Sequence, residues 1–106
     1  MWSVETLNEN VDDEILALPR DMSARLGRFV KVIEDFGLQK LPHDAVKHLE
    51  GKLWELRIKG RDGISRAVYV TAHYKRVVIL RVFIKKTQKT PNSELEIARK
   101  RLKEVK

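Results

Sequence analysis

The sequence contains no cysteine, which excludes disulfide bonds, thiolate catalysis and zinc sites built on cysteine. It has no uninterrupted apolar run long enough to cross a bilayer, and its first residues lack the basic and apolar stretches of a signal peptide. We therefore expect a soluble cytoplasmic protein with no membrane partner. The three histidines have spacings that match no metal site, so no metal or other cofactor is expected.

The length of 106 residues and the hydrophobic content of 42% predict one globular domain over residues 1–106. Charge is unevenly distributed along it. Residues 1–50 carry 6 Lys and Arg against 10 Asp and Glu, whereas residues 51–106 carry 16 against 5. We interpret the basic half as a surface that binds RNA, DNA or an acidic protein. A lysine-rich surface that is merely solvated fits the charge alone equally well.

Hydrophobic periodicity predicts a short edge strand at residues 2–7, followed by two helices. Asn8 or Asn10 can cap the first helix, which Pro19 closes. The second helix, at about residues 21–36, can end at Gly37 in a left-handed conformation. The apolar stripes of this helical hairpin need a sheet to cover them. Residues 38–51 are expected to be a polar connection.

Three strand patterns follow, at residues 53–59, 64–71 and 77–85. In the first, alternation places Trp54 on the core face, and Glu55 and Arg57 on a face that is open to water. The third is almost continuously apolar, which predicts a central position. Because the connections between the three strands are short, they should form an antiparallel meander.

A last helix is expected to begin at Asn92 or Ser93, where Ser93 and Glu96 have capping-box spacing. The predicted fold class is therefore α+β. An N-terminal helical hairpin packs on a small twisted, mostly antiparallel sheet, and a helix ends the chain.

The segment from Lys85 to Pro91, KKTQKTP, carries the strongest functional signal. Its lysines, hydroxyls and amide leave the end of a buried strand together, and such a group can hold a phosphate backbone but has little use in a core. Arg57, Arg66 and Arg81 lie on the predicted strands. If these cations converge, they could neutralise a scissile phosphate and lower the pKa of a neighbouring lysine. Strand alternation alone does not place Arg66 beside Arg57.

Four segments together resemble the successive motifs of phage-derived RelE/HigB-type toxins of type II toxin–antitoxin systems. They are LEGKLWELR at residues 49–57, SRAVY at 65–69, FIKKTQKTP at 83–91, and Ala98 with Arg101. The resemblance implies a ribosome-dependent endoribonuclease that cuts mRNA in the decoding site of the small subunit, without a metal, and is neutralised by a cognate antitoxin, for which we expect a helix-turn-helix protein. It also implies a twisted sheet with helices on one face.

The resemblance assigns residue roles by position. The implied catalytic residues are Arg57, Arg66, Lys85, Lys86 and Glu55, and the implied RNA-binding residues are Gln88, Lys89, Arg81, Arg99 and Lys100. The implied reaction is attack of a ribose 2′-hydroxyl on the adjacent phosphorus, which requires a base, an acid and charge stabilisation. Since arginine stays protonated, the base is either a lysine among the cations or Glu55. Where family relatives often carry a small or histidine-containing pair before the Phe of the third motif, this chain has Arg81 and Val82, and hence no histidine.

Each role has a structural alternative. Glu55 could pair with a cation on its own or a neighbouring strand, and Arg81 could be an ion-pair partner within the fold. Trp54 is expected in the core rather than stacked on a base. For the whole protein, the alternative is a non-catalytic basic module that binds nucleic acid or an antitoxin.

Overall fold

The computed structural model describes residues 1–85 and 89–106, which form three α-helices and five strands. The helices are α1 (Glu9–Leu16), α2 (Arg20–Phe36) and α3 (Asn92–Leu102). The strands are β1 (Ser3–Thr6), β2 (Val46–Glu50), β3 (Leu53–Gly60), β4 (Gly63–Ala72) and β5 (Arg76–Lys85). The predicted α+β class is confirmed. None of the helices in the described ranges combines the length and apolar character needed to span a membrane.

The strands form one sheet in the order β1-β5-β4-β3-β2. β3, β4 and β5 make the predicted antiparallel meander, and β5 has the predicted interior position. β1 is an edge strand, as expected, and pairs with β5 in parallel. The sheet is thus mostly antiparallel.

The prediction of a polar connection over residues 38–51 is partly wrong, because Val46–Glu50 form the strand β2. Two short 3-10 helices, Leu38–Lys40 and His43–Ala45, lead into β2, which pairs antiparallel with β3. An edge strand with two exposed polar residues, Lys47 and His48, has the composition of a loop. Its stability comes from the ladder with β3, which the pattern of β2 alone does not reveal.

The sheet is covered on both faces, whereas the resemblance implied helices on one. The α2 face carries Leu56, Ile58, Ala67 and Tyr69, and packs against α1 and α2. The opposite, α3 face carries Leu53, Val68, Val70 and Leu80, and packs against Ala98 and Leu102. Since Glu55 and Arg57 alternate with the residues of the α2 face, they belong to the α3 face, which is therefore not fully open to water.

The helix ends follow local chemistry in two of the three helices. The Asn8 side chain accepts a hydrogen bond from the Val11 N–H, as predicted for one of the two possible caps of α1. Gly37 ends α2 at a φ of 95°, and a Cβ there would lie 2.8 Å from Trp2 Nε1. The predicted capping box of α3 is wrong, because the helix begins directly after Pro91 and has no side-chain cap.

A β-bulge interrupts the pairing of β4 with β5. Tyr69 pairs with Ile79 but Val68 pairs with Arg81, so Leu80 is an extra residue in β5. Cross-strand partners share a face, and Arg81 therefore lies on the α3 face beside Leu80. All residues of β5 after the bulge have the opposite alternation from those before it.

Glu14 of α1 joins three elements next to this bulge. Its carboxylate accepts hydrogen bonds from the Val82 N–H at 2.9 Å and from Arg81 NH1 at 2.7 Å. Arg101 NH1 donates to the same carboxylate at 3.1 Å and to the Leu80 carbonyl at 2.7 Å. Glu94 of α3 binds Arg81 through both of its oxygens. This Glu14 network provides hydrogen-bond partners for backbone groups of β5 that lie beyond the end of β1. It also holds α1 and α3 against the strand.

We predict that Glu14→Ala destabilises the protein by about 2–4 kcal/mol, because it removes the shared partner of two partly buried arginines and an edge N–H. Asp13→Ala, an exposed neighbour on the same helix, is the matched control and should change stability by less than about 0.5 kcal/mol. Urea denaturation measures both. Equal effects of the two substitutions would contradict the role given to Glu14.

Candidate active site

Four cations meet at one end of the α3 face. Arg57 of β3 pairs directly with Arg66 of β4, and Lys47 of β2 lies on the other side of β3, opposite Glu55. Lys85 pairs with Ile64, which has the same alternation as Arg66. We call Lys47, Arg57, Arg66 and Lys85 the basic cluster. The position of Arg66, which alternation left open, is thus beside Arg57.

The bulge in β5 decides that Lys85 joins this cluster. Val77 and Ile79 face α2, so uninterrupted alternation would also place Lys85 on the α2 face. The extra residue at Leu80 reverses the alternation and brings Lys85 to the α3 face. Lys85, the first residue of the segment predicted to hold phosphate, therefore lies next to the strand arginines.

Glu55 lies within the basic cluster but is completely buried. The expectation that it lies on a face open to water is wrong. Its carboxylate forms an ion pair with Arg66, which is also buried, and accepts a hydrogen bond of 2.7 Å from Thr90 Oγ1. Burial lowers the pKa of Arg66. This geometry favours the structural alternative for Glu55, in which it holds Arg66 and Thr90 in place.

Lys85 has the environment of a proton-transfer group. Its Nζ is buried and has no hydrogen-bond partner among the described residues. Burial, and then the positive charges of Arg66, Lys47 and Arg57, lower its pKa from 10.5 to about 8. About one tenth of the Lys85 side chains are therefore neutral at pH 7, where an ordinary lysine is almost fully protonated. A neutral amine among fixed cations can accept a proton from a group bound beside it.

Two residues at this site were missed by sequence reasoning. Lys47 was missed because β2 was taken for a connection, although the β-branched Val46 before it was a weak strand signal. Thr90 belongs to the basic segment, but nothing in the sequence indicated that its hydroxyl reaches Glu55 of β3. Both residues reach the site through contacts between segments that are far apart in the sequence.

The structure describes four of the five predicted RNA-binding residues, and two of these, Arg81 and Arg99, are bound by carboxylates within the fold. Arg81 is held by Glu14 and Glu94, which agrees with its structural alternative, and hydrogen bonding to Glu94 raises its pKa. Arg99 of α3 binds the carboxylate of Glu50 at 2.6 and 2.8 Å. Lys100 and Lys89 are exposed. The predicted site residues Lys86 and Gln88 lie outside the described residues.

An apolar cleft of about 590 Å³ lies away from the basic cluster. It opens on the α2 side of the sheet, between the 3-10 helices and residues that include Trp2, Tyr69 and Trp54. Trp54 is 39% exposed and its ring lies 4.8 Å from that of His48, so the expectation of a core position is wrong. Because Trp54 and the basic cluster occupy opposite faces, Trp54 cannot stack on a base bound at the cluster.

Residues 13–103 match the model of the phage-derived Gp49-like protein family (DUF891). The chain belongs to this family. The match contains α2, α3 and the four strands from β2 to β5, and hence every residue of the basic cluster. No match to the chain was found among curated proteins. In the described part of this Gp49-like chain, no three His, Asp or Glu side chains are grouped as metal ligands would be.

The buried pair of this Gp49-like protein gives a prediction. Glu55→Leu should destabilise the fold by about 3–5 kcal/mol, because Arg66 is then buried without a counter-charge. Adding Arg66→Met should restore most of the lost stability, since two apolar side chains can replace a buried ion pair. Chemical denaturation of both variants measures this. A double variant no more stable than Glu55→Leu would show that the pair does not account for the loss.

Proposed function

We propose that residues 1–106 act as a single toxin domain of a cytoplasmic toxin–antitoxin system, of the RelE/HigB type, that cleaves mRNA on the ribosome. Two findings support this. The chain belongs to a phage-derived Gp49-like family of toxin-like proteins, and three of the cations predicted from the motifs, Arg57, Arg66 and Lys85, lie together at one end of the sheet. The observation that carries the proposal is Lys85, a buried amine with a pKa of about 8 among three other cations.

In the proposed reaction, neutral Lys85 accepts the proton of a ribose 2′-hydroxyl. The 2′-oxygen then bonds to the adjacent phosphorus, and the bond from phosphorus to the 5′-oxygen breaks. The 5′-oxygen takes a proton from an ammonium group or from water, which leaves a 2′,3′-cyclic phosphate and a 5′-hydroxyl. Of the two base candidates, Lys85 is preferred because Glu55 is buried and paired.

The two arginines have different proposed roles. Arg57 is half-buried and forms no ion pair with a described carboxylate, so its guanidinium is available to a phosphate. Arg66 is held by Glu55, and its charge adds to the effect of burial in lowering the pKa of Lys85. We propose that these fixed cations stabilise the charge of the transition state, so that the reaction needs no metal.

The proposed partners are the ribosome and an antitoxin. The basic cluster is small, and we propose that the decoding site of the small subunit orients the mRNA across it, since correct orientation supplies much of the barrier reduction in such a reaction. We further propose neutralisation by a cognate antitoxin of the helix-turn-helix type. A non-catalytic basic module remains the alternative, and it is favoured by the engagement of Arg66, Arg81 and Arg99 in ion pairs.

The proposal predicts cleavage of mRNA on programmed ribosomes and little cleavage of naked mRNA, measured by mapping new 5′ ends. Arg57→Ala should lower the single-turnover cleavage rate at saturating protein about 100- to 1000-fold, because it removes one donor to the transition state. Lys31→Ala, which removes an exposed cation of α2, is the matched control and should cleave at the wild-type rate.

Thermal melting of the same variants separates catalysis from folding. Equal cleavage with and without ribosomes would contradict the ribosome dependence. Wild-type protein that binds ribosomes without producing new 5′ ends would leave the basic-module alternative in its place.

A second prediction concerns pH. The single-turnover rate should rise about tenfold per pH unit below pH 8 and level off above it, because only neutral Lys85 accepts a proton. Lys85→Met should lose this activity and yet be more stable at pH 7, by on the order of 1 kcal/mol, since the folded protein no longer buries an ammonium group.

The stability readout has a definite sign. The folded-state pKa of Lys85 lies below its unfolded value, so burial of the charged form costs most below pH 8. The stability of the wild type relative to Lys85→Met should therefore rise between pH 8 and 10.5. A flat pH–rate profile, or a less stable Lys85→Met variant, would be inconsistent with the role given to Lys85.

A further inference from the structure

The connection between β4 and β5 holds two residues in an unfavourable backbone conformation. Tyr74 has a φ of 63° and Lys75 a φ of 59°, and no other non-glycine residue in the described ranges has a positive φ. This region strongly favours glycine and asparagine, and a bulky aromatic residue is an outlier there. A tyrosine is thus strained at this position, where glycine or asparagine would form the same turn with less strain.

The side chain of Tyr74 does not compensate for this strain by packing. It is 95% exposed, and its ring centroid lies 6.4 Å from that of His73, with the two planes tilted by 57°. No hydrogen bond from its hydroxyl to a described residue is present. A strained residue that contributes nothing to the core is typical of a functional position.

Contacts with both ends of the chain hold the turn in place. The Lys75 carbonyl accepts a hydrogen bond of 3.1 Å from the Ser3 N–H. Arg76 pairs with Glu5 at 2.9 Å and donates to the Lys106 carbonyl at 2.8 Å. The ring of Tyr74 is therefore presented to solvent from a tethered backbone, and ordering it on a ligand should cost little entropy.

The residues next to the Tyr74 ring indicate what it binds. Lys75, the next residue in the chain, is exposed and forms no ion pair with a described carboxylate, and His73 on the other side is also exposed, whereas Arg76 is paired with Glu5. An exposed aromatic ring beside an available cation is an arrangement that can stack on a base of single-stranded nucleic acid while the cation contacts a phosphate.

We propose that Tyr74 is a stacking platform for an unstacked RNA base, with Lys75 on the adjacent phosphate. This inference rests on the proposed action on RNA. The turn lies roughly 25 Å along β4 from the basic cluster, given a rise of about 3.3 Å per residue. It therefore binds RNA several nucleotides from the scissile phosphate, or a separate RNA strand, and does not take part in the chemistry.

The test uses Tyr74→Asn, which suits the backbone and removes the ring. Its melting temperature should rise by about 4 °C or more. Its affinity for a 20-nucleotide 2′-O-methyl RNA, which cannot be cleaved, should fall about 5- to 100-fold by fluorescence anisotropy. With an abasic oligomer of equal length, the variant and the wild type should bind equally, because no base is present to stack.

Tyr74→Trp keeps a ring in the same backbone and should retain wild-type affinity. Phe36→Asn removes an exposed ring at the end of α2 and should not change RNA affinity. The proposal is overturned by unchanged affinity of Tyr74→Asn, by an equal loss on both oligomers, or by a lower melting temperature. Because these measurements involve no cleavage, failure of the proposed nuclease activity would leave them interpretable.

Discussion

One extra residue in β5 determines how the cations of this protein are arranged. Before the bulge at Leu80, odd-numbered residues such as Ile79 pack under α2, and after it they lie on the α3 face. Without the bulge, Lys85 would lie on the α2 face, and the ammonium group would be separated from Arg57 and Arg66 by the sheet itself. The Glu14 network supports this irregularity, since it binds Arg81, the Val82 N–H and the Leu80 carbonyl through side chains from two helices.

Placing like charges on adjacent strands has a cost that Glu55 offsets. Arg57 and Arg66 are direct cross-strand partners, an arrangement that is destabilising by itself. Glu55 neutralises Arg66 from within the sheet surface and also anchors Thr90 of the basic segment through a hydrogen bond. One carboxylate therefore stabilises the fold without reaching the solvent side, where it would repel a phosphate. Burial, together with the remaining positive charge, keeps the pKa of Lys85 low.

The sequence predicts the elements of this protein better than it predicts their contacts. Periodicity located α1, α2 and the β3–β5 meander because each segment has a strong local pattern. It missed β2, whose stability depends on β3, and it placed Glu55 in water because alternation identifies a face but not what covers that face. The neighbours of Lys85 could not be predicted either, since a bulge has no reliable sequence signal and reverses every later residue. Three residues of the basic cluster, Arg57, Arg66 and Lys85, were nevertheless predicted, because cations within or at the end of an apolar strand are conspicuous, whereas Lys47 was missed together with β2.

The net charge of the protein overstates how many of its cations are available to bind RNA. Several cations of the basic half are occupied by carboxylates within the fold: Arg76 by Glu5, Arg81 by Glu14 and Glu94, Arg99 by Glu50, and Lys59 by Asp44. Four of these five carboxylates come from the acidic half of the chain, so that half neutralises cations that organise the structure. Lys47, Arg57 and Lys85 form no such pair with a described residue. The cations of the basic cluster that lack such a pair are held together at one place on the sheet, where they can attract a phosphate and where burial and their charges lower the pKa of the Lys85 amine.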